Sequence, residues 1–312
     1  MGAINAKMVA DLRAKTGCGM MECKKALTEA NGDFEEAVKV LREKGLAVAA
    51  KKASRIAAEG VVDIMLSENG KSAAMIEVNA ETDFVAKNET FKQFVRGLLS
   101  VLLEKRPADI DAFLALPYDD NFTVEAKLKD MVFTIGENMN IRRFVIVDGN
   151  MSTYIHGKGT TGVIVKFDVD DAIAAKDGFA EVAKNIALQI AAGNPPTYVS
   201  KADVPQSAID EEMAIQVSAA KNDEKLANKP DAVIEKIVAG KLGKLFFERV
   251  CLTEQSYVKD DSMSVGKYLA TASKELGGEI AVNSFYLYEK GEGLEKREDN
   301  FADEIAQMVG KN

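Results

Sequence analysis

The spacing of apolar and polar positions divides the chain into distinct stretches. Over the first ~56 residues apolar side chains recur at helical intervals. Met8, Val9 and Leu12 share one face before Thr16-Gly17 stops the first helix. A second helix is predicted from about Met21 to Ala30, ending at Asn31-Gly32. A third begins at Asp33, with Glu36 three residues on as a capping box, and carries Phe34, Val38 and Leu41 on its apolar face. Gly45 is expected to close it, and a Lys/Ala-rich connector from Ala47 to Ala58 follows. Three helices in so short a stretch make a small bundle.

From Gly60 the period shortens to two. Val61–Met65 and Ala74–Val78 read as strands of a hairpin turned at Glu68-Asn69-Gly70. A helix follows with Phe91, Phe94, Val95, Leu98 and Leu99 apolar, and another covers about Val124 to Gly136. Arg143–Val147 is expected to open a second strand-rich region, with Ser152–Ile155 and Val163–Phe167 as further strands and a helix from Gly178 to Ala192. This region repeats the first: Ile76-Glu77-Val78…Ala86-Lys87-Asn88…Phe91 matches Val165-Lys166-Phe167…Ala175-Lys176-Asp177…Phe179, at an offset of 89 falling to 88. Thr82-Asp83-Phe84-Val85 then stands where the second copy has Asp171-Ala172-Ile173-Ala174, so one copy carries a carboxylate and an aromatic that the other lacks.

Asp203–Val250 reads as a helical hairpin, with Ile209, Met213 and Val217 on one arm, Val233, Ile237 and Leu245 on the other, and Asn228-Lys229-Pro230 as the turn. Ser264–Leu276 is a further helix, Val282–Tyr288 a late strand and Phe301–Val309 a last helix. The fold class is therefore α+β: a three-helix module resembling ubiquitin-associated domains, a duplicated α+β core with antiparallel sheets, and an inserted helical hairpin or coiled coil. The expected divisions are 1–56, 57–142, 143–202 with 251–290, 203–250 and 291–312.

Charge changes this picture locally. The 312 residues carry a net charge of −9, which argues against a global nucleic-acid footprint. Residues 1–56 hold 11 Lys/Arg against 7 Asp/Glu, a net of +4, so the helical module is basic and the rest stands at −13. One histidine, His156, and three cysteines leave little for a zinc site or for Ser-His-Asp chemistry. The odd cysteine count, the absence of an apolar leader and the lack of a membrane-length apolar run lead to the expectation of a soluble, cytoplasmic protein without cofactor or metal.

Few motifs carry chemistry. Gly157-Lys158-Gly159-Thr160-Thr161-Gly162 lacks phosphate-loop spacing and precedes a strand, so a hairpin turn is the better reading. Cys18 and Cys23 are too far apart for CxxC chemistry. His156 ends a strand, where a surface role or a partner contact fits better than catalysis. Glu77–Asn88 is the sharpest feature. On residues alone its bland reading leads: Phe84 packs locally, and Asp83 satisfies backbone amides before the helix.

Glu77–Lys87 closely resembles a signature of the bacterial elongation factor Ts family, the nucleotide-exchange factors for elongation factor Tu. Leu12–Leu27, with Arg13-Ala14-Lys15-Thr16-Gly17-Cys18-Gly19-Met20-Met21, resembles the family's N-terminal signature. Ile135–Arg143 and Gly291–Lys296 are similar too, while Ala80 stands where the family often has Cys and 106–121 is less characteristic. The resemblance implies a non-enzyme that binds the GDP form of its GTPase partner, loosens nucleotide and Mg²⁺, and holds the empty state until GTP enters. GDP, GTP and Mg²⁺ then belong to the partner, and neither nucleic acid nor membrane is contacted directly. It implies that Phe84 is a wedge beside the partner's magnesium site, with Thr82, Asp83 and Val85 around it. Arg13, Met20, Met21 and Lys24 would dock the helical module, and Lys52, Ile135, Gly136 and His156 would make further contacts. The alternative classes are a non-enzymatic adaptor built on the helical module and an enzyme using His156 with a carboxylate.

Overall fold

The computed structural model describes residues 4–192, 194–223, 226 and 229–295. Phe301–Val309, Asn228 of the expected turn and Lys296 lie outside the described residues.

Helices α1 (Ala6–Thr16), α2 (Met20–Glu29) and α3 (Phe34–Lys52) form the bundle. Asn5 caps α1 by accepting from Met8 N, Gly17 closes it at φ 70°, and Asp33 caps α3 by accepting from Glu36 N. Leu12, Cys23, Ala26, Leu27, Ala37 and Leu41 are the buried centre. Gly45 does not end the third helix, which runs on to Lys52 through most of the expected connector. A mid-helix glycine costs about 1 kcal/mol. Here packing outweighs it: Gly45 lies buried against the Phe133 ring, and Ala49 joins the next core beside Val132.

The core holds two three-stranded antiparallel sheets. The first is built from β1 (Glu59–Leu66) and β2 (Ser72–Ala80), followed by α4 (Asp83–Lys87), α5 (Glu89–Lys105), α6 (Ile110–Ala115), α7 (Val124–Ile135) and β3 (Met139–Asp148). β2 is central and pairs with β3 from Ser72↔Asp148 to Ala80↔Met139. Arg143–Val147 therefore completes the first sheet and does not open the second; a boundary at 142/143 would cut a strand whose neighbour is β2.

The second unit runs through β4 (Asn150–His156), β5 (Thr161–Val169), α8 (Asp171–Ala174) and α9 (Asp177–Ala191). Next come α10 (Gln206–Lys221), α11 (Asp231–Leu242), a π-turn at Gly243–Phe247 and α12 (Glu248–Val250). β6 (Ser256–Tyr257), β7 (Asp260–Ser264), α13 (Val265–Leu276) and β8 (Ile280–Glu289) complete it, with sheet order β4-β5-β8. The duplication reaches further than the sequence match. Both sheets slip register at the same place, between Glu77 and Val78 and between Lys166 and Phe167. α7 and α13 correspond: Thr123 and Ser264 cap them with their hydroxyls, and Gly136 and Gly277 close them in the left-handed region. Helices α5 and α7 cover one sheet, α9 and α13 the other, and Val62, Ile64, Met75, Val147 and Ile164 pack between the sheets.

The helix starts also move the repeat's one-residue step. Asp83 and Asp171 both begin a short helix, Val85 and Ile173 are both buried, and Phe91 matches Phe179. The step thus falls before the helices, within Glu81-Thr82. The second copy has lost the aromatic, with Ala172 in place of Phe84, but it keeps the carboxylate.

In the hairpin the seam on the second arm is Ile234, Val238 and Leu242, all buried, while Val233 is exposed. Ile234 and Val238 sit four apart on the buried side of α11, which packs against α10. The base closes on Val204, Leu242, Phe246 and Cys251, with Arg249 paired to Glu212 at 3.1 Å. The buried Cys251 thiol is pushed up to about 11 by desolvation.

Candidate functional site

β2 is buried from Ala73 to Ala80, so the chain leaving it must turn abruptly towards solvent. Part-way along lies Glu77, fully buried. Its carboxylate accepts from Gly291 N (2.8 Å), Asn79 Nδ2 (3.0 Å), Arg143 Nε (2.6 Å) and Arg142 Nη1 (3.0 Å). Burial opposes its ionisation, but these donors outweigh burial and hold the carboxyl below the usual carboxylate range.

Beyond Ala80 the junction is pinned by side chains. Thr82 donates twice to Glu137, from its amide to Oε2 at 2.9 Å and from Oγ1 to Oε1 at 2.8 Å. Glu81 Oε1 accepts in return from the Asn138 amide at 2.6 Å. Asn138 is buried and donates through Nδ2 to the Arg55 carbonyl at 2.7 Å. Lys52, on the last turn of α3, donates to the carbonyl of Gly136. The ends of α3, β2 and α7 are thereby knotted together. Ile135, just before Gly136, is half-buried against the first core.

From this knot α4 projects. Five residues are too few for a helix to hold itself. Val85 anchors it from beneath at 3% exposure, and Asp83 and Lys87 pair across one turn at 2.6 Å. That bond holds the Asp83 carboxyl below its ordinary range. Phe84 stands 76% exposed, with the Lys87 ammonium 5.5 Å from its ring centre. The expectation that Phe84 packs locally is overturned: the helix begins at Asp83, and the inward position goes to Val85. Asp83 is taken up chiefly by Lys87.

The second sheet approaches the same place. Val62 N donates to the Gly159 carbonyl at 2.9 Å, tying the β4–β5 hairpin tip to β1. A groove of about 200 Å³ opens there between Val61, Val95, Ala86, Ile155 and Lys158. The turn expected at Gly157–Gly162 is present, with Gly157, Lys158 and Gly159 all at positive φ and β5 following. His156 is exposed beside it, its Nδ1 3.1 Å from the Tyr154 hydroxyl.

Thr82, Lys52 and Gly136 are thus brought together, with Ile135 adjoining and the His156 hairpin nearby. Arg13, Met20, Met21 and Lys24 lie elsewhere, exposed on α1 and α2, and among the described residues the knot's hydrogen bonds do not reach them. Met20 and Met21, at 43% and 63% exposure, are not bundle core. The bundle is nonetheless close, since the Gly17 turn lies against Thr134, two residues before Gly136. Glu81, Glu137, Asn138 and Lys87 were given no role by sequence, although Glu81 and Lys87 stand within Glu77–Asn88. Glu137 and Asn138 stood in a recognised segment, but their partners are 55 and 57 residues away. Among the described residues no acid, Cys and His cluster could hold a metal ion, and no helix is long and apolar enough to cross a membrane.

Comparison with known proteins agrees with the resemblance read from the motifs. A family profile described as Elongation factor TS matches residues 81–292. Elongation factor Ts of Clostridium perfringens (strain 13 / Type A) is 44% identical over 311 residues, covering 99% of this chain and 100% of that protein. The factor from Clostridium botulinum (strain Eklund 17B / Type B) is also 44% identical, with the same coverage. Elongation factor Ts of Syntrophotalea carbinolica is 45% identical over 314 residues, covering 98% of this chain and 99% of that protein. Matched from end to end at this level, the chain belongs to the elongation factor Ts family, a family of elongation factors in protein biosynthesis.

Proposed function

We propose that the chain is a guanine-nucleotide exchange factor for elongation factor Tu and catalyses no bond-breaking chemistry of its own. The observation that carries this reading is Phe84, a large apolar side chain held in solvent on a helix fixed from below and behind. Leaving such a ring exposed forgoes about 1.5–3 kcal/mol, which burial in a partner returns. In the GDP-bound GTPase, Phe84 enters between packed helices beside the magnesium site, with Thr82, Asp83 and Val85 around it. Displacing Mg²⁺ removes the charge that neutralises the nucleotide phosphates, so GDP leaves. By linkage, a factor that prefers the empty GTPase weakens nucleotide binding by the same coupling free energy, and GTP entry then releases the factor.

Arg13, Met20, Met21 and Lys24 dock the helical bundle on the GTPase domain. Lys52, Ile135 and Gly136 meet it next to the wedge, and His156 contacts it from the second sheet. The partner holds GDP, GTP and Mg²⁺; this chain needs no cofactor and contacts neither nucleic acid nor membrane. Residues 203–250 form a hairpin insertion in the second core subdomain. An adaptor built on the bundle alone leaves the exposed ring without a task.

Elongation factor Tu loaded with a fluorescent GDP tests the proposal. Added factor accelerates GDP release in proportion to its concentration until saturation. Release at the intrinsic rate throughout would remove the exchange reading.

A further inference from the structure

The duplicated unit supplies its own control. Between central strand and short helix the first unit has Glu81-Thr82, the second only Asp170. Between the glycine-capped helix and the third strand, the first unit has Glu137-Asn138 and the second Gly278-Glu279. In the first unit these links exchange carboxylates: Glu137 takes the Thr82 amide and hydroxyl, and Glu81 takes the Asn138 amide. Among the described residues, no hydrogen bond joins Asp170 or Asp171 to Gly278 or Glu279. Yet the second unit makes the same strand, the same register slip and the same kind of short helix. The second unit ties its links by other means, with Asp171 accepting from Lys71 Nζ (2.6 Å) and Asn150 Nδ2 (3.1 Å) and Lys176 donating to the Leu276 carbonyl (2.6 Å), so the exchange of carboxylates is particular to the first unit. The clamp accompanies the aromatic, which is Phe84 in one copy and Ala172 in the other.

We propose that Glu137, with Glu81 as its counterpart, is a positioning residue that holds α4 at the pitch presenting Phe84 to the partner. This rests on the exchange reading above. An exposed ring on a five-residue helix gains by folding back onto nearby apolar surface. Such a surface is at hand in the groove of Val61, Val95 and Ile155, whose wall includes Ala86 of the same helix. Glu137 makes that retreat unfavourable, because tilting α4 breaks two hydrogen bonds to a carboxylate at once. The ring is then already placed when the GTPase arrives.

The test compares Glu137→Ala and Glu137→Gln, each with and without Phe84→Ala, in release of fluorescent GDP from elongation factor Tu over a range of factor concentrations. Amide hydrogen exchange of the free full-length factor is followed in parallel. Glu137→Ala lowers the maximal rate about tenfold while the half-saturating concentration stays within about twofold, the pattern of an interaction realised only at the rate-limiting step. Glu137→Gln keeps an acceptor oxygen and recovers part of the rate. In the Phe84→Ala background, Glu137→Ala causes no further loss, and the Thr82 amide exchanges faster while amides around Phe91 and Leu98 do not. An equal loss in both backgrounds, or a rise in half-saturation matching the fall in rate, overturns the positioning role; so does an unchanged rate. Should Glu137→Ala fail to fold, the Gln variant carries the same comparisons. Should the wild-type factor not accelerate release, the exchange reading falls separately, and unchanged protection of Thr82 in the variants then overturns the clamp.

Discussion

Phe84 is constrained from three directions that act on different atoms. Val85 fixes the underside of the helix, the Thr82–Glu137 bonds fix its start, and Lys87 lies over the ring while bonded to Asp83. A cation at an exposed aromatic face is worth only about 0.5–1 kcal/mol, so Lys87 biases the rotamer without binding the ring tightly. A side chain that stabilises the displaced state more than the encounter complex affects rate before affinity. Phe84→Ala is therefore expected to slow GDP release by roughly ten- to a hundredfold, the equivalent of about 1.5–3 kcal/mol, while complex formation weakens far less. Stopped-flow release beside equilibrium binding reads both; equal losses would make Phe84 an ordinary anchor. The segment 77–87 was legible as the place to look. The exposure of its ring came only with the family resemblance and not from the residues themselves, because it depends on where α4 starts and on a glutamate 55 residues away.

Helix and strand types followed the apolar periodicity closely, and the departures arose where an element's limit is set by a distant neighbour. α3 passes through Gly45 because Phe133 of α7 lies against it. β3 belongs to the first sheet because β2 pairs with it along its length, which the residues 143–147 do not encode by themselves. The hairpin seam falls on Ile234 and Val238 because the relative rotation of the arms, not the list of apolar residues, chooses the inner face. The repeat was visible in β2 and β5; its extension to α7 and α13 was hidden, since two different hydroxyl caps and two glycine ends share function rather than a run of identities. Gly45 offers a direct check at this scale. A Cβ there would meet the Phe133 ring at 3.5 Å, an ordinary contact, and would remove the helix penalty of glycine. Gly45→Ala should raise stability by about 0.5–1 kcal/mol, visible as a higher denaturation midpoint at unchanged m-value. A fall would show that the bundle cannot yield the space.

Across the whole molecule, Glu77 is one of the points where the two units are joined. Besides its own sheet it receives the Gly291 amide, while Arg143 reaches the Glu289 carbonyl and the Glu292 carboxylate and lies 4.2 Å from the Tyr288 ring centre. Lys290 pairs with Glu59. Because the folded-state pKa of Glu77 lies below the unfolded value of about 4.3, its contribution is complete above roughly pH 5 and is lost as pH falls through the folded value. Glu77→Gln should thus destabilise the protein at pH 7 by about 2–3 kcal/mol. The gap from the wild type should narrow as pH is lowered from 5 towards 3 in thermal melts, and a gap independent of pH would mean that the charge is not what the donors hold. The same bond spans 214 residues. A ribosome adding about 5–20 residues per second needs roughly 10–40 s to travel that distance. For that interval the nascent first sheet has Glu77 in place with no Gly291 amide to meet it, and once residues 142 and 143 emerge, the two arginines alone neutralise it. The carboxylate at the middle of β2 therefore receives its last donor only after 214 further residues have been made, long after its own strand.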